Sequence, residues 1–302
     1  MSDSGTRRLA PARRFERPAA EHEYHIRSPT VATQDRDYVL GTSDVEVERL
    51  GLQHRVWRAD ALAAWRRAGF TLAHTLLDVG CGPGYATIDL AGIVGPNGRV
   101  VAMDQSRRFL DVLDAQLRHH GVNHVTVAEL DLATADLPDV AADGAWCRWV
   151  LGFLSHPRSL VTRVAHCLRP GGAFVIHEYF DYRTWRLGPR VPELEEFVSE
   201  IIAAWRDTGG EPDIGLVLPS WLEEDGFRIE SLTPIVHVVP PSSFVWQWPA
   251  AFVDSGLDRL VALGRIDPDR RVHIATAFER ATREPGTRMV TPAVLEIIAR
   301  KL

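Results

Sequence analysis

The chain is poor in cysteine and has no long uninterrupted apolar run. Three of its 302 residues are cysteines, at the separated positions Cys81, Cys147 and Cys167. An odd and scattered set predicts neither a disulfide framework nor a zinc site, and it fits a reducing cytoplasm as the compartment. No stretch approaches the roughly 20 consecutive apolar residues of a membrane-spanning helix. We therefore expect a cytoplasmic protein that does not insert into a membrane.

Positive charge is also scarce. The sequence has 34 Lys and Arg against 40 Asp and Glu, a formal net charge of −6. This balance argues against a nucleic-acid-binding surface. The Arg13-Arg14 pair is not followed by an apolar segment, so it does not predict a twin-arginine signal. A small molecule is the expected partner, and the sequence leaves open whether two copies form a homodimer.

What is present is an ordinary globular composition, 45% hydrophobic, with enough length for one large core. We expect one elaborated domain built from seven successive segments. They are a flexible arm (1–37), a lid helix (38–70), a sheet core (71–182), a helical cap (183–218), a core continuation with a helix and the sixth strand (219–239), a second helical insertion (240–290) and a final strand (291–302).

The most informative motif is a strand followed by a glycine-rich turn. Thr75 to Val79 reads as a buried parallel strand, and Ala86 to Ile93 as the helix that follows the turn. The glycines are spaced Gly-x-Gly-x-Gly, unlike the dinucleotide-binding Gly-x-Gly-x-x-Gly, and no Gly-Lys-Ser/Thr follows as in a P-loop. Asp78, near the strand end, suits a ligand with a cationic or hydroxyl group better than a pyrophosphate.

Two further strands end in acids. Arg99 to Asp104 is an apolar run closed by Asp104, where a carboxylate can hold both hydroxyls of a ribose. Val125 to Leu132 contains Asp131, which can accept a hydrogen bond from the exocyclic amine of adenine. A cap or turn role is the alternative for Asp131 taken alone. As the third member of an ordered set, it is expected to bind the ligand.

These motifs, with Trp149-Val150-Leu151 and Leu168-Arg169-Pro170-Gly171-Gly172, resemble those of class I S-adenosylmethionine-dependent methyltransferases. The resemblance covers roughly residues 38–181 and is nearest to small-molecule enzymes of the ubiquinone/menaquinone type. It implies an α/β fold, a Rossmann-like seven-stranded sheet with helices on both faces, an N-terminal helical lid and helical insertions after strands 5 and 6. The last strand is then antiparallel between the fifth and the sixth.

The resemblance also implies S-adenosylmethionine as cofactor, S-adenosylhomocysteine as product, and no metal. It assigns Asp104 to the ribose and Asp131 to the adenine, with Gln105 beside the ring. The other cofactor-binding candidates that share these motif segments are Asp78, Gly80, Cys81, Gly82, Gly84 and Leu132.

Three more residues are candidates for the cofactor site. Tyr38 and Gln53 belong to the segment that related enzymes use as a lid, and Gln53 lies on the apolar stripe of that helix. A buried Gln bonded to backbone is the alternative. Arg148 lies in the fourth strand, expected over Asp143 to Leu151, where the family's chain passes the methionine end of the cofactor. A surface arginine is the alternative there.

The substrate site is expected where the fifth strand emerges, because ligands bind at the carboxyl ends of parallel strands. His177 is the candidate general base, followed by Glu178, although alternation puts the two on opposite sides of the strand. A structural histidine bonded to backbone is the alternative. The candidate substrate-binding aromatics are Tyr179, Tyr182, Trp185 and Trp246.

The sequence thus predicts methyl transfer to a small, fairly apolar molecule, such as a specialised metabolite or a quinone. It lacks the Asn/Asp-Pro-Pro-aromatic and Pro-Cys motifs of nucleic-acid and protein methyltransferases at the fourth strand. Two alternatives stay open. One is a cofactor-binding protein of the same fold with a cyclase-like or regulatory role, and the other is a nicotinamide oxidoreductase.

Overall fold

A computed structural model describes residues 42–302. The helices are α1 (Asp44–Arg67), α2 (Tyr85–Val94), α3 (Arg107–His120), α4 (Pro157–Cys167), α5 (Pro192–Asp207), α6 (Leu218–Glu224), α7 (Gln247–Ala262) and α8 (Pro268–Arg283). The strands are β1 (Thr75–Val79), β2 (Arg99–Asp104), β3 (Val125–Glu129), β4 (Ala142–Arg148), β5 (Leu168–Asp181), β6 (Arg186–Gly188), β7 (Phe227–Ile235), β8 (Val238–Val239), β9 (Arg288–Val290) and β10 (Ala293–Lys301).

A seven-stranded sheet in the order β3-β2-β1-β4-β5-β10-β7 forms the centre of the fold. The first five of these strands are parallel, and β10 runs antiparallel to both β5 and β7. The expected α/β class and the expected place of the last strand are confirmed. The carboxyl ends of β1, β2 and β4 meet at one edge, which positions the ligand site.

Side chains alternate between the two faces of this sheet. Leu77 and Val79 of β1 belong to the core that includes Leu160 of α4, whereas Leu76 packs in a separate core with Trp65 of α1 and Leu90 of α2. Helices therefore cover both faces. Ser43 caps α1 by accepting a hydrogen bond from the backbone N–H of Glu46. None of the helices between residues 44 and 283 is both long and apolar enough to cross a bilayer.

Two predicted strands end earlier than expected. β4 stops at Arg148, not at Leu151, because Trp149 has a φ of +53° and leaves the extended conformation. The sixth strand of the large sheet, β7, stops at Ile235, not at Val239. Val238 and Val239 instead pair with β9.

A small three-stranded sheet joins the two insertions, and the sequence did not predict it. Its order is β6-β9-β8, so one strand follows β5, one follows β7 and one precedes β10. Each strand has two or three residues, too short for a recognisable alternating pattern. Above it, α5, α7 and α8 enclose an aromatic core that contains Phe197, Leu257 and Phe278.

Candidate active site

The three glycines in the turn after β1 have different surroundings, and each lacks room for a side chain or leaves space open for a different reason. A Cβ on Gly84, which has a φ of +86°, would lie 2.2 Å from Leu113 Cδ1 of α3. A Cβ on Gly80 would lie 2.2 Å from Val150 Cγ2. Gly82, with a φ of +53°, faces open space instead, since no atom lies within 4 Å of its Cβ position. Gly82 is therefore the glycine whose missing side chain leaves room for a ligand.

The open space belongs to a cleft of about 1600 Å³, counting the part open to solvent, at the carboxyl ends of the parallel strands. We call it the glycine-loop cleft. It contains ten of the twelve cofactor candidates: Asp78, Gly80, Cys81, Gly82, Gln105, Asp104, Asp131, Leu132, Arg148 and Gln53. Gly84 does not line it, because it packs on Leu113. Tyr38 lies outside the described residues.

Asp104 is held rigidly at the end of β2. Its Oδ2 accepts a hydrogen bond from the backbone N–H of Gly82 at 2.9 Å, and its Oδ1 accepts one from Ser106 N–H at 2.9 Å. Burial raises the pKa of Asp104, although these N–H donors favour the charged form. The carboxylate thus connects the glycine turn to the next strand and presents its edge to the cleft.

Asp78 is almost wholly buried beneath the same turn. Its Oδ2 accepts a hydrogen bond of 2.6 Å from the hydroxyl of Thr87 in α2. Burial raises the pKa of Asp78 to about 6, and the Thr87 hydrogen bond and the nearby Arg148 oppose this shift. Asp131 differs, because it is exposed and caps its own turn through Ala133 N–H and the Thr134 hydroxyl. It lines the cleft while filling the local capping role that the sequence left as its alternative.

Arg148 is a half-buried cation whose Nη1 is a buried, unsatisfied donor within the described residues. Its Nη2 donates to His54 Nδ1 at 3.2 Å, and its guanidinium lies 5.6 Å from the ring centre of Trp146 and 5.0 Å from that of Trp149. Burial lowers its pKa to about 10, so it stays charged near neutral pH. Among residues 42–302 its buried Nη1 has no hydrogen-bond partner. A guanidinium with a free donor in a cleft fits an anionic group such as a carboxylate.

His54 supports Arg148 from helix α1, and the sequence analysis missed it. Its Nε2 lies 3.1 Å from Asp89 Oδ2 of α2, while its Nδ1 accepts from Arg148. These partners favour the neutral tautomer with the proton on Nε2, and burial also lowers the His54 pKa. His54 directly follows Gln53 on the same predicted helix. The spacing of apolar residues does not show which of two adjacent residues on a helix faces the cleft.

A second cavity, of about 840 Å³ counting the part open to solvent, lies under the insertions. We call it the aromatic cavity. Its rings come from β5 and the segment after it, from the segment after β4, and from helices α5 and α7: Trp149, Phe153, Tyr179, Tyr182, Trp185, Trp205, Trp248 and Phe252. Tyr179 stacks on Trp149 with ring centres 5.5 Å apart, and Trp149 stacks on Trp248 at 5.7 Å. Three predicted substrate aromatics, Tyr179, Tyr182 and Trp185, are therefore brought together in one cavity wall.

The two cavities share a wall made of four residues: Gln53, Trp149, Phe153 and Thr208. Trp149 holds a left-handed backbone conformation that a bulky residue rarely adopts. Its buried Nε1 has no acceptor within the described part of the chain. Within the described part of the chain, Trp149 therefore puts a strained backbone and a free donor at the boundary between the two cavities.

His177 and Glu178 do not line either cavity, contrary to their predicted place in the substrate pocket. His177 is fully buried on the α1 side, with Nε2 3.2 Å from Glu296 Oε2 of β10. Burial lowers its pKa. Trp57 separates it from the aromatic cavity, contacting both His177 and Trp149. The alternation of side chains along β5 predicts that His177 and Glu178 lie on opposite faces, but it does not show whether either face borders a cavity.

Glu178 points to the opposite side and holds the turn after β4. Its Oε1 accepts hydrogen bonds from Val150 N–H at 2.8 Å and Leu151 N–H at 2.7 Å. Burial raises the Glu178 pKa to about 7, against those two donors. It thereby fixes the segment that carries Trp149 and Val150.

Trp246 is a further correction. It is buried outside the aromatic cavity, where it stacks on Phe278 of α8 with ring centres 6.0 Å apart. It belongs to the packing of the insertions, which was the alternative for many of their aromatics. Trp248, two residues later, is the tryptophan of this segment that lines the cavity, and sequence spacing alone does not separate the two.

Residues 76–172 match the family described as "Methyltransferase domain". The matched segment contains β1, the glycine turn, β2 and β4, which build the glycine-loop cleft. These residues thus form a methyltransferase domain of the class I S-adenosylmethionine-dependent type. Most of the glycine-loop cleft, with Asp78 and Asp104, falls inside the matched segment, whereas most of the aromatic cavity falls outside it.

The chain is similar to curated methyltransferases over part of its length. It is 29% identical over 126 residues to the demethylmenaquinone methyltransferase of Anoxybacillus flavithermus, covering 42% of this chain and 52% of that one. It is 30% identical over 159 residues to the demethylmenaquinone methyltransferase of Symbiobacterium thermophilum, covering 50% and 62%. The chain thus spans about half the length of the curated relatives it matches.

The fold extends beyond the shared segment. A solved structure of geranyl diphosphate C-methyltransferase from Streptomyces coelicolor A3(2) superposes with a TM-score of 0.51 at 16% identity. The superposition covers 86% of this chain and 84% of that chain. At this identity the likeness establishes the fold alone.

Proposed function

We propose that the protein transfers a methyl group from S-adenosylmethionine to a small, fairly apolar acceptor, such as a quinone or specialised metabolite. One observation carries the proposal. The glycine-loop cleft and the aromatic cavity share the wall of Gln53, Trp149, Phe153 and Thr208, so ligands in the two spaces would be neighbours. A methyl donor and its acceptor need this arrangement.

The residues of the cleft fit the proposed cofactor. Gly82 leaves open space where a side chain would otherwise stand, and Arg148 has a free buried donor for the amino-acid carboxylate. We assign the ribose hydroxyls to Asp104 and the adenine to Gln105, Asp131 and Leu132, all of which line the cleft. Helix α1 covers the cleft through Leu50, Gln53 and His54, which supports its proposed role as a lid.

The cofactor, when bound, supplies an electrophilic methyl group on a sulfonium, so the main work of the protein is alignment and exclusion of water. Trp149, Tyr179 and Trp248 lie with nearly parallel rings, separated by 5.5 to 6.3 Å. Such a set offers flat apolar faces that position an unsaturated acceptor and keep water out of the shared wall.

We propose that the predicted pair, His177 and Glu178, takes no part in proton transfer. We propose that His177 and Glu178 are positioning residues, because neither lines the cavity where an acceptor would lie. Tyr182 does line it, and burial raises its pKa, so its hydroxyl stays protonated near neutral pH. A protonated hydroxyl there orients the acceptor by a hydrogen bond without taking its proton.

Titration calorimetry with S-adenosylmethionine, S-adenosylhomocysteine and NAD tests the cofactor half of the proposal. We expect both S-adenosyl compounds to bind and NAD not to. Methyl-labelled cofactor incubated with fractionated small-molecule extract tests the second half, with label expected in an apolar fraction. Binding of NAD alone would indicate an oxidoreductase. Cofactor binding without label transfer to any fraction would indicate the cyclase-like or regulatory alternative.

A further inference from the structure

The aromatic cavity has an unbalanced charge. Among residues 42–302 its lining includes two arginines, Arg49 and Arg259, and no aspartate or glutamate. The rest of the wall is aromatic, aliphatic or uncharged polar. Guanidinium groups that face an apolar space need a counter-charge, because burying a cation without one is costly.

The counter-charge of Arg49 comes from the protein. Its Nε and Nη2 donate to the two carboxylate oxygens of Glu46 at 2.7 and 2.6 Å, and its Nη1 donates to Gln53 Oε1 at 2.9 Å. All three residues lie on α1, at i, i+3 and i+7 positions that share one face. Arg49 is therefore an electrically balanced part of the wall.

Arg259 has no such partner among residues 42–302. Its Nε is buried and unbonded, and no hydrogen bond or ion pair forms from its side chain within that range. Its own helix cannot supply one, because Ser255, Gly256, Ala262 and Leu263 occupy the neighbouring turns.

Acids near this end of the insertions are already paired. Asp254 and Asp258 of α7 bind Arg271 of α8. Glu200 and Asp207 of α5 bind Arg265. Among residues 42–302, Arg259 is thus an arginine of the cavity wall whose guanidinium has no protein counter-charge.

We propose that the aromatic cavity takes a flat apolar acid, and that Arg259 pairs with its carboxylate or a comparable anionic oxygen group. The acceptor role of this ligand rests on the proposed methyl transfer, whereas its binding does not. The aromatic rings would hold the apolar body, and the planar fork of Arg259 would fix the anionic end. This arrangement selects acids over their neutral analogues.

The probes are 1-naphthoate and its neutral analogue 1-naphthamide, titrated calorimetrically into the full chain with and without S-adenosylhomocysteine. We expect the wild type to prefer 1-naphthoate by about 10- to 100-fold, the strength of a charge-assisted hydrogen bond. Arg259→Gln should abolish this preference, and Arg259→Lys should keep part of it. Arg280→Gln, at an exposed arginine of α8 outside the cavity, is the matched control and should keep all of it.

Thermal unfolding checks the fold of each variant. Since Arg259 makes no bond within residues 42–302, Arg259→Gln should keep the wild-type Tm. Equal affinity for the two probes, no binding of either, or a preference that survives in folded Arg259→Gln would overturn the inference. Loss of S-adenosylhomocysteine binding with the preference intact would instead count against the proposed function alone.

Discussion

Asp78 and Glu178 are buried carboxylates, and Asp104 a half-buried one, at or beneath the candidate active site. Burial raises the pKa of each, and each accepts hydrogen bonds that partly offset the cost of its charge. Such groups are retained at a cost in stability because they position a ligand or a turn. They therefore give separate predictions for binding and for pH dependence.

Asp104→Asn should weaken S-adenosylhomocysteine binding by about 2–3 kcal/mol, since it replaces a charged acceptor by a neutral one of the same size. Calorimetry measures the loss. Asp136→Asn, at an exposed acid outside the cleft, is the matched control and should bind like the wild type. Unchanged affinity in folded Asp104→Asn would remove this residue from the cofactor site.

Glu178→Gln should change how stability depends on pH. The folded pKa of Glu178 is raised from 4.5 to about 7, so the native state favours its protonated form. The stabilisation that protonated Glu178 gives the native state is fully present below pH 4.5 and is lost as pH rises through about 7. Relative to the wild type, the variant should gain about 2–3 kcal/mol of unfolding free energy between pH 5 and pH 8.

Urea denaturation at the two pH values measures this difference, and the offset that the substitution causes at either single pH does not matter. Glu284→Gln, at an exposed acid, provides the control. A difference that stays constant from pH 5 to pH 8 would contradict the buried, charge-destabilised state of Glu178.

At the scale of elements, the turn between β1 and α2 carries two separable functions. Gly84 allows α2 to approach α3, because its Cβ would collide with Leu113, whereas Gly82 leaves the cleft open. The same sequence motif thus contributes to packing at one glycine and to ligand space at another. Substitution by alanine at each position distinguishes the two.

Gly84→Ala should lower the free energy of unfolding by about 2–4 kcal/mol, from its left-handed backbone and the overpacking against Leu113. Gly82→Ala should cost about 1–2 kcal/mol, from the backbone alone, and should weaken S-adenosylhomocysteine binding at least about tenfold by filling the cleft. Chemical denaturation and calorimetry on both variants give the comparison. Normal binding by Gly82→Ala, or equal stability of the two, would refute the division.

Local pattern predicted the elements that build the cleft. The bounds Thr75 to Val79 and Arg99 to Asp104 agree with β1 and β2, because an apolar run closed by an acid and a glycine is a signal contained within a few residues. The end of β4 was missed because the turn that follows it is held by a distant residue. Glu178 accepts hydrogen bonds from the backbone N–H groups of Val150 and Leu151, 28 and 27 residues away along the chain. The sequence also could not show which face of β5 borders a cavity. On the face that carries His177, Trp57 of helix α1 fills the space.

At the scale of the whole molecule, the large sheet and the insertions build different parts of the candidate active site. The sheet and its glycine turn build the glycine-loop cleft, and the insertions, joined by the β6-β9-β8 sheet, build most of the aromatic cavity. Sequence reasoning located the cleft but only part of the cavity. Trp149, Tyr179, Trp205 and Trp248 meet from distant segments, and no short window shows that they face one another.

Leu257→Ala should separate the two parts. Leu257 is fully buried in the core of the insertions, so its truncation should cost about 2–5 kcal/mol of stability and leave S-adenosylhomocysteine affinity within about twofold of the wild type. Leu113→Ala removes the same atoms next to Gly84 and should lower both stability and affinity. Denaturation and calorimetry measure the pair. A matching loss of affinity in Leu257→Ala would show that cap and cleft act as one unit.

We propose that a cofactor in the glycine-loop cleft directs its sulfur toward the aromatic cavity. A crystal structure of the protein with S-adenosylhomocysteine tests it most directly. We predict the carboxylate of the ligand at Arg148, its ribose at Asp104 and its sulfur facing the wall of Gln53, Trp149, Phe153 and Thr208. A sulfur that faces away from this wall, or a ligand bound outside the cleft, would contradict the account.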